Sequence, residues 1–181
     1  MEKILYMICT AFLGLCIGFV ASCDSDDTTG PGGDGPDPSP IGEVIVDHTS
    51  CDIEAIPEAA IDSAKAKLVI AYGHTSHGSQ LVTGMTGLVT YLGTLYAFTG
   101  DGSDGALELR DTPFSGAYDL GNPDWTAWAQ ATRDYLDANP EVNVVIWSWC
   151  GQVSLATEQN IDTYLGLMNT LEGEYPGVMF V

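Results

Sequence analysis

Residues 67–95, KLVIAYGHTSHGSQLVTGMTGLVTYLGTL, decide the fold of this chain. The apolar run at 67–72 is typical of a parallel strand that is covered on both faces. From Gln80 onward, apolar residues recur at the spacing of an amphipathic helix. Between the two lies a polar turn, GHTSHG at 73–78, at the strand end where open α/β sheets place their chemistry. The stretch therefore predicts a strand, a turn that carries a site, and a helix.

Strand and helix patterns alternate through the rest of the chain. Strands are predicted at 43–47, 67–72, 106–112, 142–149 and 177–181, and helices at 57–66, 80–92, 124–138 and 157–175. This alternation predicts parallel βαβ units. Right-handed crossovers then predict an α/β fold with a doubly wound, flavodoxin-like parallel sheet in three layers. Because the last apolar strand runs up to Val181, we expect the domain to be C-terminally incomplete at that residue.

The first 42 residues have the character of an export signal and a tether. Residues 4–21 are apolar and follow a single Lys at position 3, which predicts a signal peptide over 1–22; a membrane anchor is the alternative. The ending Val-Ala-Ser-Cys resembles a bacterial lipoprotein box, which implies lipidation of Cys23 and a location in the cell envelope. Residues 23–42 are rich in Gly, Pro and Asp, which predicts a disordered tether. Residues 43–181 then form one domain.

Charge and cysteine content narrow the possible partners. The chain has 25 acidic and 5 basic residues, a net charge of −20. Phosphate binding needs clustered Lys and Arg, so nucleic acid is not an expected partner.

Cys51 and Cys150 are the two cysteines of the domain. An exported chain permits a disulfide between them, and two buried thiols are the alternative.

Ser76 is the candidate nucleophile of the turn. A serine at a strand-to-helix turn faces the crevice of the sheet, and nearby backbone N–H groups can stabilise an oxyanion. A structural cap of the following helix is the alternative interpretation of the same residue. His74 and His77 flank it and are candidates for contact with a substrate.

The segment YGHTSHG at 72–78 resembles the first block of the SGNH/GDSL-like hydrolases, in a divergent branch with a Gly-His-x-Ser-x-Gly turn after the first strand. The resemblance assigns the role of nucleophile to Ser76. The second block of that family is a glycine in the loop after the next strand. Gly121 matches it best and Gly116 second, and Asn122 beside Gly121 is expected to contact substrate.

The chain departs from the family in the third block, which normally supplies an Asn side chain to the oxyanion hole. The stretch WSWCGQ at 147–152 contains no Asn, and Gln152 is the nearest amide. Trp149 lies beside the expected crevice and is a candidate for ligand contact. The fourth block carries Asp and His, and we expect it beyond Val181.

Three hypotheses follow. The first is an exported, lipid-anchored serine esterase that acts on a small-molecule or glycan ester without a cofactor, with Ser76, Gly121 and Gln152 at the catalytic centre. The second is a non-catalytic surface lipoprotein of the same fold that binds glycan or protein. The third is a metal-dependent hydrolase that uses His74 and His77, with His48, Asp47 or Cys51 as a further ligand.

Overall fold

The computed structural model of the protein describes residues 52–181. In this part of the chain the elements are α1 (Glu58–Lys67), β1 (Val69–Gly73), α2 (Ser79–Leu92), β2 (Phe98–Thr99), β3 (Leu107–Asp111), α3 (Ala127–Ala138), β4 (Val144–Trp147), α4 (Glu158–Glu174) and β5 (Met179–Phe180). The predictions for the signal peptide, Cys23, the tether, the strand at 43–47, Asp47, His48 and Cys51 lie outside the described residues.

The five strands are all parallel and form one sheet in the order β2-β3-β1-β4-β5. The first strand is central and pairs with β3 on one side and β4 on the other. With the two-residue edge strand β2 set aside, this is the strand order of a flavodoxin-like sheet. The predicted doubly wound α/β fold is therefore confirmed.

Helices cover both faces of the sheet. Along β1, Ile70 and Tyr72 belong to one buried cluster that includes Met85 of α2, and Ala71 belongs to a second cluster that includes Trp128 of α3. This alternation is the period of two that a pleated strand imposes on its side chains. Because both faces are buried, the strand requires the unbroken apolar run that the sequence shows.

The carboxyl ends of β1 and β4 form the crevice of the sheet. The chain leaves β1 toward β2 through α2, which packs on one face, and leaves β4 toward β5 through α4, which packs on the other. Adjacent strands whose connections depart in opposite directions define the switch point at which α/β sheets bind ligands. None of the helices in residues 52–181 has the length and apolar character needed to cross a membrane.

The helix and strand types match the prediction, with differences at boundaries. Helix α3 begins at Ala127 rather than Asp124, because Asp124 Oδ1 accepts hydrogen bonds from the N–H groups of Thr126 and Ala127, both at 2.8 Å. The two-residue strand Phe98–Thr99 was not predicted, since it is too short to show any periodicity. At the start of α4, which lies within the helix predicted at 157–175, Thr157 is the N-cap and forms a capping box with Asn160.

The first testable prediction concerns the close contact between Gly73 of β1 and the neighbouring strand β4. A Cβ at this position would overlap the indole ring of Trp147 on the neighbouring strand. That ring cannot move aside, because its Nε1–H donates to Thr132 Oγ1 at 2.9 Å inside the core. We expect Gly73→Ala to lower the free energy of unfolding by about 2 kcal/mol through overpacking, as measured by urea denaturation.

The matched control is Gly100→Ala. A Cβ added at Gly100 would meet no heavy atom within 4 Å, and the φ of this residue is not positive. Its substitution is expected to change the unfolding free energy by less than about 0.5 kcal/mol. Equal effects at both glycines would contradict the tight contact between β1 and β4.

Candidate active site at the carboxyl edge of the sheet

Ser76 is exposed on the turn that follows the central strand. Its φ of 28° lies in the left-handed region, which a residue with a Cβ rarely adopts. Within residues 52–181, neither its Oγ nor its N–H makes a hydrogen bond. Strained backbone of this kind persists only where the surroundings hold it, and it concentrates at functional sites.

The residues on both sides of Ser76 are fixed by buried contacts. The Tyr72 hydroxyl donates to the carbonyl of Gly78 at 3.0 Å, and burial raises the pKa of Tyr72, which keeps that hydroxyl protonated. His74 lies 2.6 Å from a carboxylate oxygen of Asp111 through its Nε2. Gly78 has no room for a side chain, because a Cβ there would overlap His74 and Ser148. The turn therefore presents only its middle residues to solvent.

A buried carboxyl group, that of Asp119, holds three loops together at this edge. It is 1% exposed and receives the Thr75 hydroxyl on Oδ2 at 2.6 Å. Its Oδ1 accepts both the N–H of Gly121, at 3.0 Å, and the side-chain amide of Gln152. These three donors belong to the loops that follow β1, β3 and β4. The site is therefore assembled by side chains that are far apart in sequence.

The structure brings Gly121 and Gln152 together, as the resemblance to the hydrolases implies, but both donate to Asp119. Two donors that converge on one oxygen have the geometry of an oxyanion hole. Here the acceptor is the protein's own carboxylate. Of the donors expected at the oxyanion, the N–H of Ser76 is the one that makes no hydrogen bond within residues 52–181.

His77 pairs with Cys150 across the crevice. Its Nδ1 lies 3.5 Å from Cys150 Sγ, and Cys150 is a free, partly exposed thiol. The His77 side chain first, then the N–H of Gly151, hold the pKa of this thiol down to about 6. The Thr75 hydroxyl contributes less, because its single proton points to Asp119. Cys51, the predicted disulfide partner of Cys150, lies outside the described residues.

A cleft of about 320 Å³ opens beside the turn, between the ends of β1 and β3. Phe114, Ala117 and the exposed Tyr118 give it a largely apolar lining. His74 also lines it; this ring is 7% exposed, and its Nδ1 has no hydrogen-bond partner within the described residues. The cleft thus combines aromatic surface with one buried polar atom, as small-molecule sites do.

The two histidines of the turn differ in burial and in the residues that they contact. His74 is buried against Asp111, whereas His77 is exposed and faces Cys150. They engage different partners and do not face a common point, and residues 52–181 contain no group of three or more His, Cys, Asp or Glu side chains positioned to hold a metal. The suggested third ligands, His48, Asp47 and Cys51, lie outside the described residues.

The other predicted ligand contacts lie at the rim. Trp149 packs between Trp125 and Tyr164, with ring centroids at 5.3 and 5.5 Å, and is only partly exposed. Asn122 is exposed, and its carbonyl accepts the N–H of Tyr118 at 2.8 Å. Its side chain is therefore open to solvent near Gly121.

Comparisons with models of protein families, with curated proteins and with solved structures find no match to this chain.

Three residues of this edge were not identified from the sequence. Asp111 lies near the carboxyl end of one predicted strand and Cys150 directly follows another, and this position is itself a signal, because strand ends at one edge converge. Asp119 is not near the end of any predicted strand, so no sequence pattern indicated its role. It lies in the middle of a loop, and its partners Thr75 and Gln152 are 44 and 33 residues away.

Removal of the Asp119 carboxyl group tests its role in assembling the site. Asp119→Ala leaves the hydroxyl of Thr75, the N–H of Gly121 and the amide of Gln152 without their acceptor. Hydrogen bonds to a charged group contribute about 1.5–3 kcal/mol each and are not additive, so we expect a loss of about 3 kcal/mol in the free energy of unfolding. Chemical denaturation measures it.

Asp162→Ala is the matched control, since Asp162 is exposed on α4 and its side chain makes no hydrogen bond within the described residues. Its effect should remain within about 0.5 kcal/mol. If the two variants unfold at the same denaturant concentration, Asp119 does not organise this edge.

Proposed function

We propose that the protein is a serine ester hydrolase of SGNH type with Ser76 as its nucleophile. The observation that carries the proposal is the exposed, strained position of Ser76 at the turn after the central strand. Its neighbours on the turn are held by buried hydrogen bonds, and the switch point of the sheet lies beside it. This is the position at which a hydroxyl meets a substrate in an open α/β sheet.

In the proposed reaction, Ser76 Oγ attacks the ester carbonyl carbon, the alcohol leaves, and water hydrolyses the acyl-serine. The N–H of Ser76 stabilises the oxyanion. The donors from Gly121 and Gln152 join it when the substrate oxygen takes the place of Asp119 Oδ1. Residues 52–181 place no imidazole in hydrogen bond with Ser76 Oγ, and the resemblance assigns the base to a block after Val181.

The cleft supports a substrate with a ring of moderate size. Tyr118 at the rim offers an aromatic face to such a ring, and His74 Nδ1 offers a buried polar atom. Because His74 Nε2 is bound to Asp111, Nδ1 is the ring nitrogen that remains to pair with a hydroxyl group of a substrate. A small-molecule ester or an acetyl ester of a glycan has both features. A lipid on Cys23 would hold the enzyme in the cell envelope.

A second candidate function is binding without catalysis. It is favoured because the N–H of Gly121 and the side-chain amide of Gln152 both donate to Asp119. The edge then has a cleft but no free pair of oxyanion donors. A lipid-anchored protein of this kind would hold a glycan or a protein at the same edge. Retention of an ester ligand without turnover would support this candidate over the esterase.

Ester turnover by the full-length protein tests the nucleophile. We expect Ser76→Ala, compared in a Cys150→Ser background, to lower kcat/KM for p-nitrophenyl acetate by about 10³-fold or more, because no thiolate at this edge can then take over the covalent step. Ser103→Ala, an exposed serine in the turn that precedes β3, is the matched control and should retain full activity. Equal rates with and without Ser76→Ala in that background would reject the assignment.

A further inference from the structure

We propose that Cys150 and His77 form a second reactive site, independent of the esterase, in which the Cys150 thiolate exchanges with small disulfides. The sulfur lies three residues beyond the end of β4, on the same carboxyl edge as Ser76 and across the crevice from the turn. The proposal does not depend on ester hydrolysis. It rests on the pairing of a nucleophilic atom with a proton-accepting ring in a place that a small molecule can reach.

The contact geometry is that of a nucleophile and its base. His77 Nδ1 lies 3.5 Å from Cys150 Sγ, a hydrogen-bonding distance for sulfur. His77 is exposed and Cys150 partly exposed, so both atoms are accessible from the crevice. The next residue, Gly151, is exposed and has no side chain that could shield the sulfur. A thiol with an imidazole at this distance has the basic requirement for nucleophilic chemistry.

The local charges favour the thiolate. Hydrogen bonds from His77 and from the N–H of Gly151 lower the pKa of Cys150 to about 6. At pH 7 about 90% of the thiol is then ionised, compared with about 3% for an ordinary cysteine of pKa 8.5. The thiolate is the attacking species in thiol–disulfide exchange, and a protonated His77 would be its counter-ion.

The exchange step balances without another oxidant. The Cys150 thiolate attacks one sulfur of a small disulfide, a new S–S bond forms, and the original S–S bond breaks. The leaving sulfur takes the electron pair and then a proton from His77 or from water. Because the chain carries a net charge of −20, a cationic disulfide is the class that its surface attracts. Cystamine is a probe of that class.

The sequence makes the experiment specific. No Lys or Arg lies between Arg133 and Val181, so the tryptic peptide that begins at residue 134 carries Cys150 as its single cysteine up to residue 181. The full chain is incubated with cystamine from pH 4.5 to 9, quenched, digested without reduction, and analysed by mass spectrometry for the mixed disulfide on this peptide. We expect the rate to reach half its plateau near pH 6, with the plateau above that pH.

The variants separate the proposal from its alternatives. His77→Ala should shift the midpoint toward pH 8.5 and raise the plateau rate, because a less acidic thiol gives a more nucleophilic thiolate. At pH 7 the lower ionised fraction and the higher nucleophilicity nearly offset each other, so the rate should fall only about twofold. Cys150→Ser should abolish modification of the peptide. Gln80→Ala, at an exposed position near the turn, should leave the profile unchanged. A native midpoint near 8.5, or one that His77→Ala does not move, would overturn the proposal. Ser76→Ala should retain the native profile, so the failure of one site is distinguishable from the failure of the other.

Discussion

The buried carboxyl group of Asp119 ties together the loops that follow β1, β3 and β4, and the shape of the carboxyl edge depends on it. Burial of an ionisable group is unfavourable unless its oxygens are hydrogen-bonded, and Asp119 has donors on both oxygens. Each donor comes from a different loop. The same contacts that satisfy the carboxyl group therefore fix Thr75, and with it the turn that carries Ser76.

The two proposed nucleophiles at this edge differ in character. Ser76 has an exposed side chain, a strained backbone and a hydroxyl that makes no hydrogen bond within residues 52–181. Cys150, across the crevice, has a partner in His77 and a thiol that ionises near neutral pH. The hydroxyl is positioned but still needs a base, whereas the thiol has its base beside it. The edge can thus support acyl transfer at one residue and exchange at the other.

Local patterns were enough to predict the scaffold of this site. The apolar run of β1, the polar turn and the periodic helix that follows have short-range signatures, because each is determined by the burial of one strand or one helix face. The position of Ser76 at a strand end follows from them. The predicted start of the last helix near residue 157 is equally local, since the partner of its N-cap Thr157 is three residues away.

Long-range polar contacts could not be predicted in the same way. The pair between His77 and Cys150 joins residues 73 positions apart, and nothing in either local sequence specifies the other. The engagement of Gly121 and Gln152 by Asp119 likewise depends on how three loops meet. The resemblance to the hydrolases pointed to those residues as neighbours of the crevice, but only the fold shows which acceptor they face.

The most direct test of the central claim is covalent trapping at Ser76. Treatment of the full-length protein with a fluorophosphonate, followed by tryptic mapping, would report whether the hydroxyl is activated, because these reagents label serine nucleophiles in working sites. We expect one phosphonate on Ser76, in the peptide 68–110, and its loss in Ser76→Ala. An unlabelled Ser76 under conditions that fully label a standard serine hydrolase would contradict the claim that this residue is the nucleophile.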